Sequence, residues 1–335
     1  MGDTIADLDI LGIGNAIVDV LSHADDDFIL GHGLPKGGMT LIDADRAAAL
    51  YADTGAAVEM SGGSCANTMA AAASFGADVA YIGKVRDDVL GEIFAHDIRA
   101  AGVLFETRPT SAGPATARCL VMVSPDGQRT MSTYLGACVE LGPGDIDERL
   151  VGRAKVTYLE GYLWDRPRAK DAFRAAMAAA HGAGREVALT LSDTFCVERH
   201  RDEFRALVDD DVDILFANEN EIRALYQVET LEEALAQVRG RCGIVAVTRS
   251  ERGSLVSSGG AFHDVPAETV ETVVDTTGAG DAYAAGFLYG LTRGLDLPTC
   301  AHLGSIAAAE IISHFGSRPQ VSLAELAAPA LTTAG

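Results

Sequence analysis

Near the C-terminal end of the chain stands Val273-Val274-Asp275-Thr276-Thr277-Gly278-Ala279-Gly280-Asp281-Ala282-Tyr283-Ala284-Ala285-Gly286-Phe287-Leu288, which predicts a glycine-rich turn that opens a helix. The first N–H groups of a helix lack partners within it and carry the positive end of its dipole. We therefore expect the backbone amides of Gly278, Ala279 and Gly280 to bind an anion such as a phosphate group.

A carboxylate, Asp281, directly follows these small residues. Beside a bound phosphate it could act as the base that accepts a proton from an attacking hydroxyl group during phosphoryl transfer. It could instead do no more than cap the helix, because Asp is frequent at helix N-termini. Taken alone, this segment leaves both interpretations open.

The composition limits the class of ligand. The 335 residues suffice for one large α/β domain or two smaller ones, and 26 basic against 48 acidic side chains give a formal net charge of −22. Such a surface repels nucleic acids and anionic membranes, so we expect neither as a partner. A phosphate ligand must then be neutralised locally, which favours a magnesium-bound nucleotide over a bare polyanion.

The cysteines and the chain ends indicate a cytoplasmic protein. No C-x-x-C pair occurs among the cysteines, which we expect to be small buried side chains of a reducing compartment: Cys65, Cys119, Cys138, Cys196, Cys242 and Cys300. Residues 1–7 carry acids where a signal peptide would carry bases. Charges or glycines interrupt each long apolar run, so we expect no membrane span.

Polar side chains follow the first predicted strand. The apolar run Asp9–Gly14 predicts a buried strand, with Asn15 and Asp19 just beyond it. The short β-favouring pieces 18–23 and 39–42 flank a stretch that contains glycine and proline. These pieces indicate an excursion from the main body of the fold.

A second glycine-rich turn, Ser61-Gly62-Gly63-Ser64-Cys65-Ala66-Asn67, opens an alanine-rich helix that we expect to reach Phe75. Its two glycines would let a ligand approach the backbone, and Asn67 would add a side-chain amide on the same face. A plain turn with a serine cap is an equally open interpretation. The spacing around Ser64 also resembles the nucleophile elbow of serine hydrolases, although residues 56–60 make a poor strand.

From Val156 onwards strands and helices alternate. We predict strands at 156–160, 187–191, 213–217 and 244–248, helices at 168–181 and 231–239, and a buried last helix at 297–315. This alternation predicts the α/β class, with a mostly parallel central sheet covered by helices on both faces. Ligands bind beyond the carboxyl ends of such strands, where these candidates stand: Asn218, Glu221, Thr248, Arg249, Gly253 and the turn Gly278–Asp281.

Charged side chains suited to a phosphate and its metal lie outside the glycine-rich turns. Glu221 beside Asn218 has the chemistry to hold hydrated magnesium, although an acidic helix start also stabilises itself through the dipole. The Asp-Gly pair at 126–127 predicts a hairpin that carries Arg118 and Arg129. Either arginine could reach a phosphate or remain a solvated surface residue.

Three of these motifs together resemble the ribokinase-like (PfkB) family of carbohydrate and nucleoside kinases. Asp275–Asp281 is similar to the family's C-terminal signature, Gly62-Gly63-x-x-x-Asn67 to its N-terminal signature, and Asn218-x-x-Glu221 to its phosphate and magnesium motif. They occur in the family's order and span nearly the whole chain. The resemblance implies a single ribokinase-like α/β domain over residues 1–335, with a β lid formed by 16–44 and part of 104–136.

Within the family, the segments Gly12–Asp19, Gly62–Ser64 and Leu135-Gly136 look most like those of adenosine kinases. That resemblance implies transfer of the γ-phosphoryl group of ATP, with Mg²⁺, to the 5′-hydroxyl group of adenosine. One carboxylate that accepts two adjacent ribose hydroxyl groups would reject deoxy analogues.

The resemblance also implies roles for single residues. The acceptor side would consist of Asp19, Asn15, Gly62, Gly63, Ser64, Asn67 and, against the purine, Phe195. On the phosphate side, Asp281 would be the base, Gly278, Ala279 and Gly280 the anion hole, and Arg129 the residue that steadies the transferring charge. Thr248, Arg249 and Gly253, with Asn218, would border the ATP, Glu221 would hold Mg²⁺ through water, and Asp275 with Thr277 would frame a K⁺ site.

Other acceptors and other functions stay open at this stage. Tyr162, Leu163 and Met131 could add to a purine pocket, but Ser192-Asp193-Thr194 is polar, which keeps a plain sugar such as ribose or fructose in contention. A non-catalytic nucleotide or nucleoside sensor and a serine hydrolase are alternatives of other classes. The lid strands allow either a monomer or a homodimer.

Overall fold

The computed structural model describes residues 6–333; the expectation drawn from the extreme N-terminus concerns mainly residues 1–5, which lie outside this range. The strands are β1 (Leu8–Ile13), β2 (Ile17–His23), β3 (Met39–Leu41), β4 (Ala57–Gly62), β5 (Val79–Ile82), β6 (Leu104–Phe105), β7 (Ala117–Val123), β8 (Arg129–Tyr134), β9 (Ala154–Glu160), β10 (Glu186–Thr190), β11 (Ile214–Asn218), β12 (Ile244–Thr248), β13 (Ser254–Ser258) and β14 (Ala261–Val265). The α-helices are α1 (Asp26–Gly31), α2 (Ala44–Asp53), α3 (Ser64–Ser74), α4 (Val89–Ala100), α5 (Glu148–Arg153), α6 (Pro167–Gly182), α7 (Thr194–Asp210), α8 (Glu219–Tyr226), α9 (Leu231–Val238), α10 (Ala279–Thr292), α11 (Leu297–Ile312) and α12 (Leu323–Thr333).

The larger sheet has nine strands in the order β14-β13-β12-β11-β10-β9-β1-β5-β6. Every pair from β12 to β6 is parallel, and only the pairs made by β13 are antiparallel. The central strands are apolar throughout because helices cover both faces: Ile10 of β1 packs into one core and its neighbour Leu11 into the other. The predicted mostly parallel α/β architecture is confirmed.

A second, five-stranded sheet has the order β3-β8-β7-β2-β4. It combines strands from both segments expected to form a lid with β4, which the sequence did not predict. The expectation that residues 56–60 make a poor strand is wrong, because β4 pairs antiparallel with β2 from Gly62 opposite Ile17 to Ala57 opposite Ser22. Pairing with a neighbouring strand here outweighs weak local propensity.

Several other elements differ from the prediction. Helix α7 was missed because nearly half of its residues are charged, although Asp193 caps its start by accepting the N–H of Cys196. Helices α1 and α2 and the hairpin β13–β14 were also missed. The turn at Gly278 does not directly follow a strand, since residues 266–277 are irregular, and the last predicted helix ends at Ile312.

The cysteines behave as expected. All six are free thiols, and Cys242 alone among them is not fully buried. Cys65 illustrates their role, because its side chain lies in the core beneath β1, where a Cβ added to Gly12 would approach its sulfur to 2.6 Å. They therefore act as small buried side chains in this fold.

Glycines allow α10 and α11 to pack at very short distance on one face of the sheet. A Cβ added to Gly286 of α10 would lie 2.4 Å from the carbonyl oxygen of Leu303, and one added to Gly304 of α11 would lie 2.7 Å from that of Tyr283. The atoms that these Cβ groups would meet belong to the backbone, which cannot move aside as the end of a flexible side chain can. This pair therefore fixes where α10, and with it Asp281, stands against the sheet.

Gly286→Ala should lower the free energy of unfolding by about 2 kcal/mol, because the new methyl group forces the two helix backbones apart. Gly182→Ala is the matched control, since an added Cβ there meets no atom within 4 Å. That control should leave stability unchanged or raise it by about 0.5 kcal/mol. Urea unfolding of both variants measures the difference, and equal stabilities would contradict the packing argument.

Candidate active site

The carboxyl ends of the central strands place several predicted polar residues at one edge of the sheet. Ile13 at the end of β1 pairs with Leu159 near the end of β9, and Asn218 at the end of β11 pairs with Thr248 at the end of β12. Asn15 therefore follows at the same edge as Glu160. Asp19 of β2 and Gly62 of β4 bring the second sheet to this edge, and we call the space between the two sheets the cleft.

Asp281 is held by the second glycine-rich turn. Its Oδ1 accepts a hydrogen bond of 2.6 Å from the Ser64 hydroxyl group, and its Oδ2 accepts one of 3.3 Å from Nδ2 of Asn67. Gly278, not Asp281, is the N-cap residue of α10. The capping interpretation of Asp281 is thus not what the fold uses, and its carboxylate joins the two helix starts.

Two carboxylates in the cleft have raised pKa values. Burial raises the pKa of Asp281 to about 6, although the hydrogen bonds from Ser64 and Asn67 work against this rise. Burial likewise raises the pKa of Asp19 to about 6, opposed by the positive charges of Arg318 and Arg129. Within residues 6–333 the Asp19 carboxylate accepts no hydrogen bond, so both of its oxygens remain available to a ligand.

The two adjacent glycines are required by close approaches to the cleft residues. A Cβ on Gly62 would lie 2.2 Å from Oδ2 of Asp19. Gly63 has φ +97°, and a Cβ there would lie 2.2 Å from the carbonyl oxygen of Asn15. The predicted acceptor-side residues Asn15, Asp19, Gly62, Gly63, Ser64 and Asn67 therefore meet in one place.

Glu160 is a site residue that the sequence analysis missed. It is fully buried and accepts hydrogen bonds from three donor groups: Nδ2 of Asn15 at 2.6 Å, the backbone N–H of Cys65 at 2.9 Å and that of Asn15 at 3.3 Å. Burial raises its pKa to about 7, against these donors. Its position at the carboxyl end of β9 was the available signal.

Two buried acceptor atoms at this site have no partner. Oδ1 of Asn15 and Oδ1 of Asn67 are both buried and, within residues 6–333, accept no hydrogen bond. Buried polar groups are normally satisfied. Together with the free Asp19 carboxylate they form a set of acceptors that suits a ligand with several hydroxyl donors.

The turn before α10 leaves part of the predicted anion hole open. Gly278 has φ +83°, and a Cβ on it would lie 2.7 Å from Cβ of Ser317, so the turn requires glycine there. The N–H of Ala279 donates to the carbonyl oxygen of Thr276 at 3.3 Å and is less available than its neighbours. A Cβ added to Gly280 would meet no atom within 4 Å, so this turn has room beside it for a ligand at the start of the helix.

Arg129 of β8 links the second sheet to the loop before α10. Its Nη1 lies 2.9 Å from Oδ2 of Asp275, and its guanidinium group lies 5.9 Å from the ring centroid of Phe315. Asp275 also accepts the backbone N–H groups of Thr277 at 3.0 Å and of Gly316 at 3.2 Å. The Asp275 carboxylate thus already contacts three donors, and the K⁺ site framed by Asp275 and Thr277 stays a prediction.

Comparisons with known proteins show the family of the chain. The model described as "pfkB family carbohydrate kinase" matches residues 34–323. The chain belongs to this family. A crystal structure of adenosine kinase from Sinorhizobium meliloti is similar to this kinase with 55% identity and a TM-score of 0.89, covering 97% of this chain and 100% of that one.

Two further relatives of this pfkB kinase are described as a sugar kinase and as an adenosine kinase. A structure described as a probable sugar kinase from Rhizobium etli CFN 42 has 50% identity and a TM-score of 0.90, and covers 97% of this chain and 99% of that one. The adenosine kinase of Saccharomyces cerevisiae is 28% identical over 329 residues, which is 91% of this chain and 94% of that protein. The chain is therefore an ATP-dependent phosphotransferase.

On the predicted nucleotide side of this pfkB kinase, the side chains are engaged with one another. Asn218 and Glu221 form a capping box, in which the backbone N–H of Asn218 donates to Oε2 of Glu221 and that of Glu221 donates to Oδ1 of Asn218, both at 2.9 Å. Nδ2 of Asn218 also donates to Oε1 of Glu221 at 2.6 Å. Burial raises the pKa of Glu221 to about 7. Each Glu221 oxygen keeps an acceptor site, so contact with a hydrated metal ion is compatible with the box.

The turn after β12 is built around Gly253. Gly253 has φ +79°, and a Cβ there would lie 2.1 Å from the carbonyl oxygen of Val265. Arg249 next to Thr248 makes two hydrogen bonds to Asp264, one of them at 3.3 Å. Its guanidinium group is therefore already paired with a carboxylate. The predicted ATP-bordering residues thus shape a backbone turn, with the arginine held to one side.

The predicted purine-side residues differ in accessibility. Phe195, in the first turn of α7, exposes 73% of its surface, and Tyr162 exposes 37%. Burial raises the pKa of Tyr162, and the negative charges of Asp193 and Asp281 add to this rise. Leu163 is 1% exposed and packs in the core, so it does not line the cleft, and Met131 lies in β8 opposite Met39.

The remaining predicted features have plain outcomes. Arg118 lies over the ring of Tyr51 at 5.3 Å and not at the cleft. Ser64 donates to a carboxylate and, within residues 6–333, has no histidine partner, so the serine hydrolase interpretation has no base of the usual kind. No helix in the described part of the chain is long and apolar enough to cross a membrane.

The raised pKa of Asp281 predicts how stability depends on pH. Because the folded pKa lies above the unfolded one, the folded chain binds more protons, and stability is lost as pH rises through a window from about 4 to about 6. In Asp281→Asn this loss disappears, so the variant should gain stability relative to wild type as pH rises through that window. Asn67 can rotate its amide to present Oδ1 to the new side chain.

Asp296→Asn is the control with the opposite sign. Asp296 caps α11, and its hydrogen bonds with Thr299 lower its pKa, so its contribution is lost as pH falls below about 4. Denaturant unfolding at a series of pH values measures both variants. A pH-independent difference between Asp281→Asn and wild type would contradict the assigned burial.

Proposed function

We propose that the chain transfers the γ-phosphoryl group of magnesium-bound ATP to the 5′-hydroxyl group of adenosine. The observation that carries this proposal is the Asp281 carboxylate, which stands in the first turn of α10 and is oriented by Ser64 and Asn67. An alcohol that approaches this carboxylate would give up its proton there while it attacks the phosphorus atom. The 55% identity to a structure of an adenosine kinase supports the choice of acceptor.

The acceptor side suits the ribose of a nucleoside. Asp19, Oδ1 of Asn15 and Oδ1 of Asn67 offer only acceptor atoms, and two adjacent ribose hydroxyl groups supply donors. The exposed faces of Phe195 and Tyr162 offer an apolar surface against which a purine could stack. A site of unpaired acceptors discriminates strongly against ligands that lack the matching hydroxyl groups.

The phosphate side would act by positioning and by neutralising charge. The amides of Gly278 and Gly280 and the guanidinium group of Arg129 would face the transferring phosphoryl group, which carries negative charge throughout the reaction. Magnesium, held through water near Glu221, would neutralise part of the charge of the triphosphate. The second sheet, with segments 16–44 and part of 104–136, would serve as a lid that excludes water.

Asp281→Asn should lower kcat by about a thousandfold or more and leave both Michaelis constants nearly unchanged, because the amide cannot accept the proton but keeps the shape of the carboxylate. In the wild type, kcat/KM should fall as pH drops below about 6, since the carboxylate must be ionised. A coupled assay of ADP release measures both. Near-native turnover of Asp281→Asn would disprove the assignment of the base.

The identity of the acceptor is tested by one panel under the same assay. Adenosine should be turned over best, and 2′-deoxyadenosine should lose about a hundredfold or more in kcat/KM, because Asp19 would then lack one of its donors. Ribose or fructose as the best acceptor would replace adenosine by a sugar, an alternative that the polar residues 192–194 favour. Binding of ATP and adenosine without ADP release would indicate a nucleotide or nucleoside sensor instead.

A further inference from the structure

Arg318 lies behind the second glycine-rich turn and was not singled out by any sequence motif. Its Nη1 donates to the carbonyl oxygen of Ala66 at 2.9 Å, and its Nη2 donates to the carbonyl oxygen of Ser61 at 2.8 Å and to the Ser61 hydroxyl group at 3.0 Å. These two carbonyl groups stand immediately before Gly62 and immediately before Asn67. One guanidinium group therefore spans the whole turn.

The bonds of Arg318 extend to both ends of this turn. Ser61 in turn donates its N–H and its hydroxyl group to Oδ2 of Asp97 in α4, at 2.8 and 2.6 Å. Ser64 lies between the two bonded carbonyl groups, and Asn67 directly follows the second one. Both residues donate a hydrogen bond to the Asp281 carboxylate. A shift of the turn would move both donors relative to α10.

The charge of Arg318 is not neutralised by one partner. Within residues 6–333 it makes no direct ion pair, and its Nε is buried without a hydrogen bond. The carboxylates of Asp97, Asp19 and Asp281 all lie within electrostatic reach of it, while burial lowers its pKa. A guanidinium group stays charged in any protein environment at neutral pH, so this positive charge acts on the whole cleft.

The base is surrounded mainly by groups that disfavour its negative charge. The titratable and charged groups that face Asp281 from the packed elements are Asp19 of β2, Cys65 of α3, Tyr158 and Glu160 of β9, Tyr162, and Arg318. All except Arg318 are acidic or neutral. At Asp281 the hydrogen bonds from Ser64 and Asn67 oppose the effect of burial on the pKa, and the charge of Arg318 adds to them; at Asp19, Arg318 and Arg129 both oppose it.

We propose that Arg318 is a positioning residue for phosphoryl transfer, which fixes the turn Ser61–Asn67 against α10 and supplies the positive charge that keeps Asp281 and Asp19 ionised. This inference rests on the proposed function, in which Asp281 accepts the proton. It assigns to a single side chain both the geometry and the protonation state of the base.

The kinetic test compares Arg318→Met with Arg318→Lys. Arg318→Met should lower kcat about tenfold or more and move the acid limb of the kcat/KM profile about one pH unit upward, because the counter-charge is lost. Arg318→Lys keeps the charge but cannot bridge both carbonyl groups, so its acid limb should stay at the wild-type pH while kcat remains reduced. An acid limb at the wild-type pH in Arg318→Met overturns the proposal.

Arg205→Met is the matched control for this comparison. Arg205 also donates from a guanidinium group to a backbone carbonyl, that of Leu225 at 2.7 Å, but it lies in α7 away from the cleft carboxylates. Its acid limb and kcat should equal those of the wild type. A shift of the same size in Arg205→Met would mean that any lost arginine has this effect, and would overturn the proposal.

A second test needs no catalysis and separates this inference from the proposed function. In Arg318→Met, stability should fall more steeply than in the wild type as pH rises from about 4 to about 8, because a still higher pKa of Asp281 widens the window of loss. Adding Asp281→Asn should remove the part of that extra slope that Asp281 causes, and adding Asp19→Asn as well should remove the rest. Equal slopes overturn the role of Arg318, whereas a wild type that phosphorylates no acceptor overturns the proposed function alone.

Discussion

The hydrogen bonds from Ser64 and Asn67 to Asp281 join two helix starts that are 214 to 217 residues apart in sequence. Each helix begins at a glycine with positive φ, Gly63 before α3 and Gly278 before α10. Both helix N-termini therefore point at the same cleft with their positive dipole ends. The two hydrogen bonds and the helix dipoles partly offset the cost of burying a carboxylate there, close to any anion that the amides bind.

This arrangement carries an energetic cost that the rest of the fold must offset. Asp19, Asp281, Glu160 and Glu221 all have pKa values raised by burial, so each lowers the stability of the empty protein near neutral pH. The close packing of α10 on α11 through Gly286 holds the base in place despite that cost. Sites that work on charged transition states commonly hold groups in such unfavourable surroundings.

The residue patterns predicted most of the site because the rule they follow is geometric. The carboxyl ends of parallel strands lie at one edge of a sheet, so Asn15, Asn218 and Thr248 were predicted to lie at that edge. The two turns were predicted from their high glycine content. Glu160 obeyed the same rule but was overlooked within an apolar strand. Arg318 could not have been found this way, because it reaches the cleft from an irregular segment after α11 through bonds to backbone carbonyls, which no side-chain pattern encodes.

The ion pair of Arg129 shows a second limit of prediction from sequence, because the partner of a charged side chain is set by the fold. The hairpin that carries Arg129 was predicted, but not its partner, since Asp275 was assigned to a cation site. The guanidinium group uses Nη1 for Asp275, while Nη2 and Nε are buried without a partner in the described part of the chain. Because the N–H groups of these two nitrogen atoms remain available, Arg129 can contact a phosphate oxygen without breaking its ion pair. In the proposed lid, the guanidinium group of Arg129 would therefore reach the cleft already oriented by Asp275. Closure of the lid would not require Arg129 to exchange Asp275 for the phosphate.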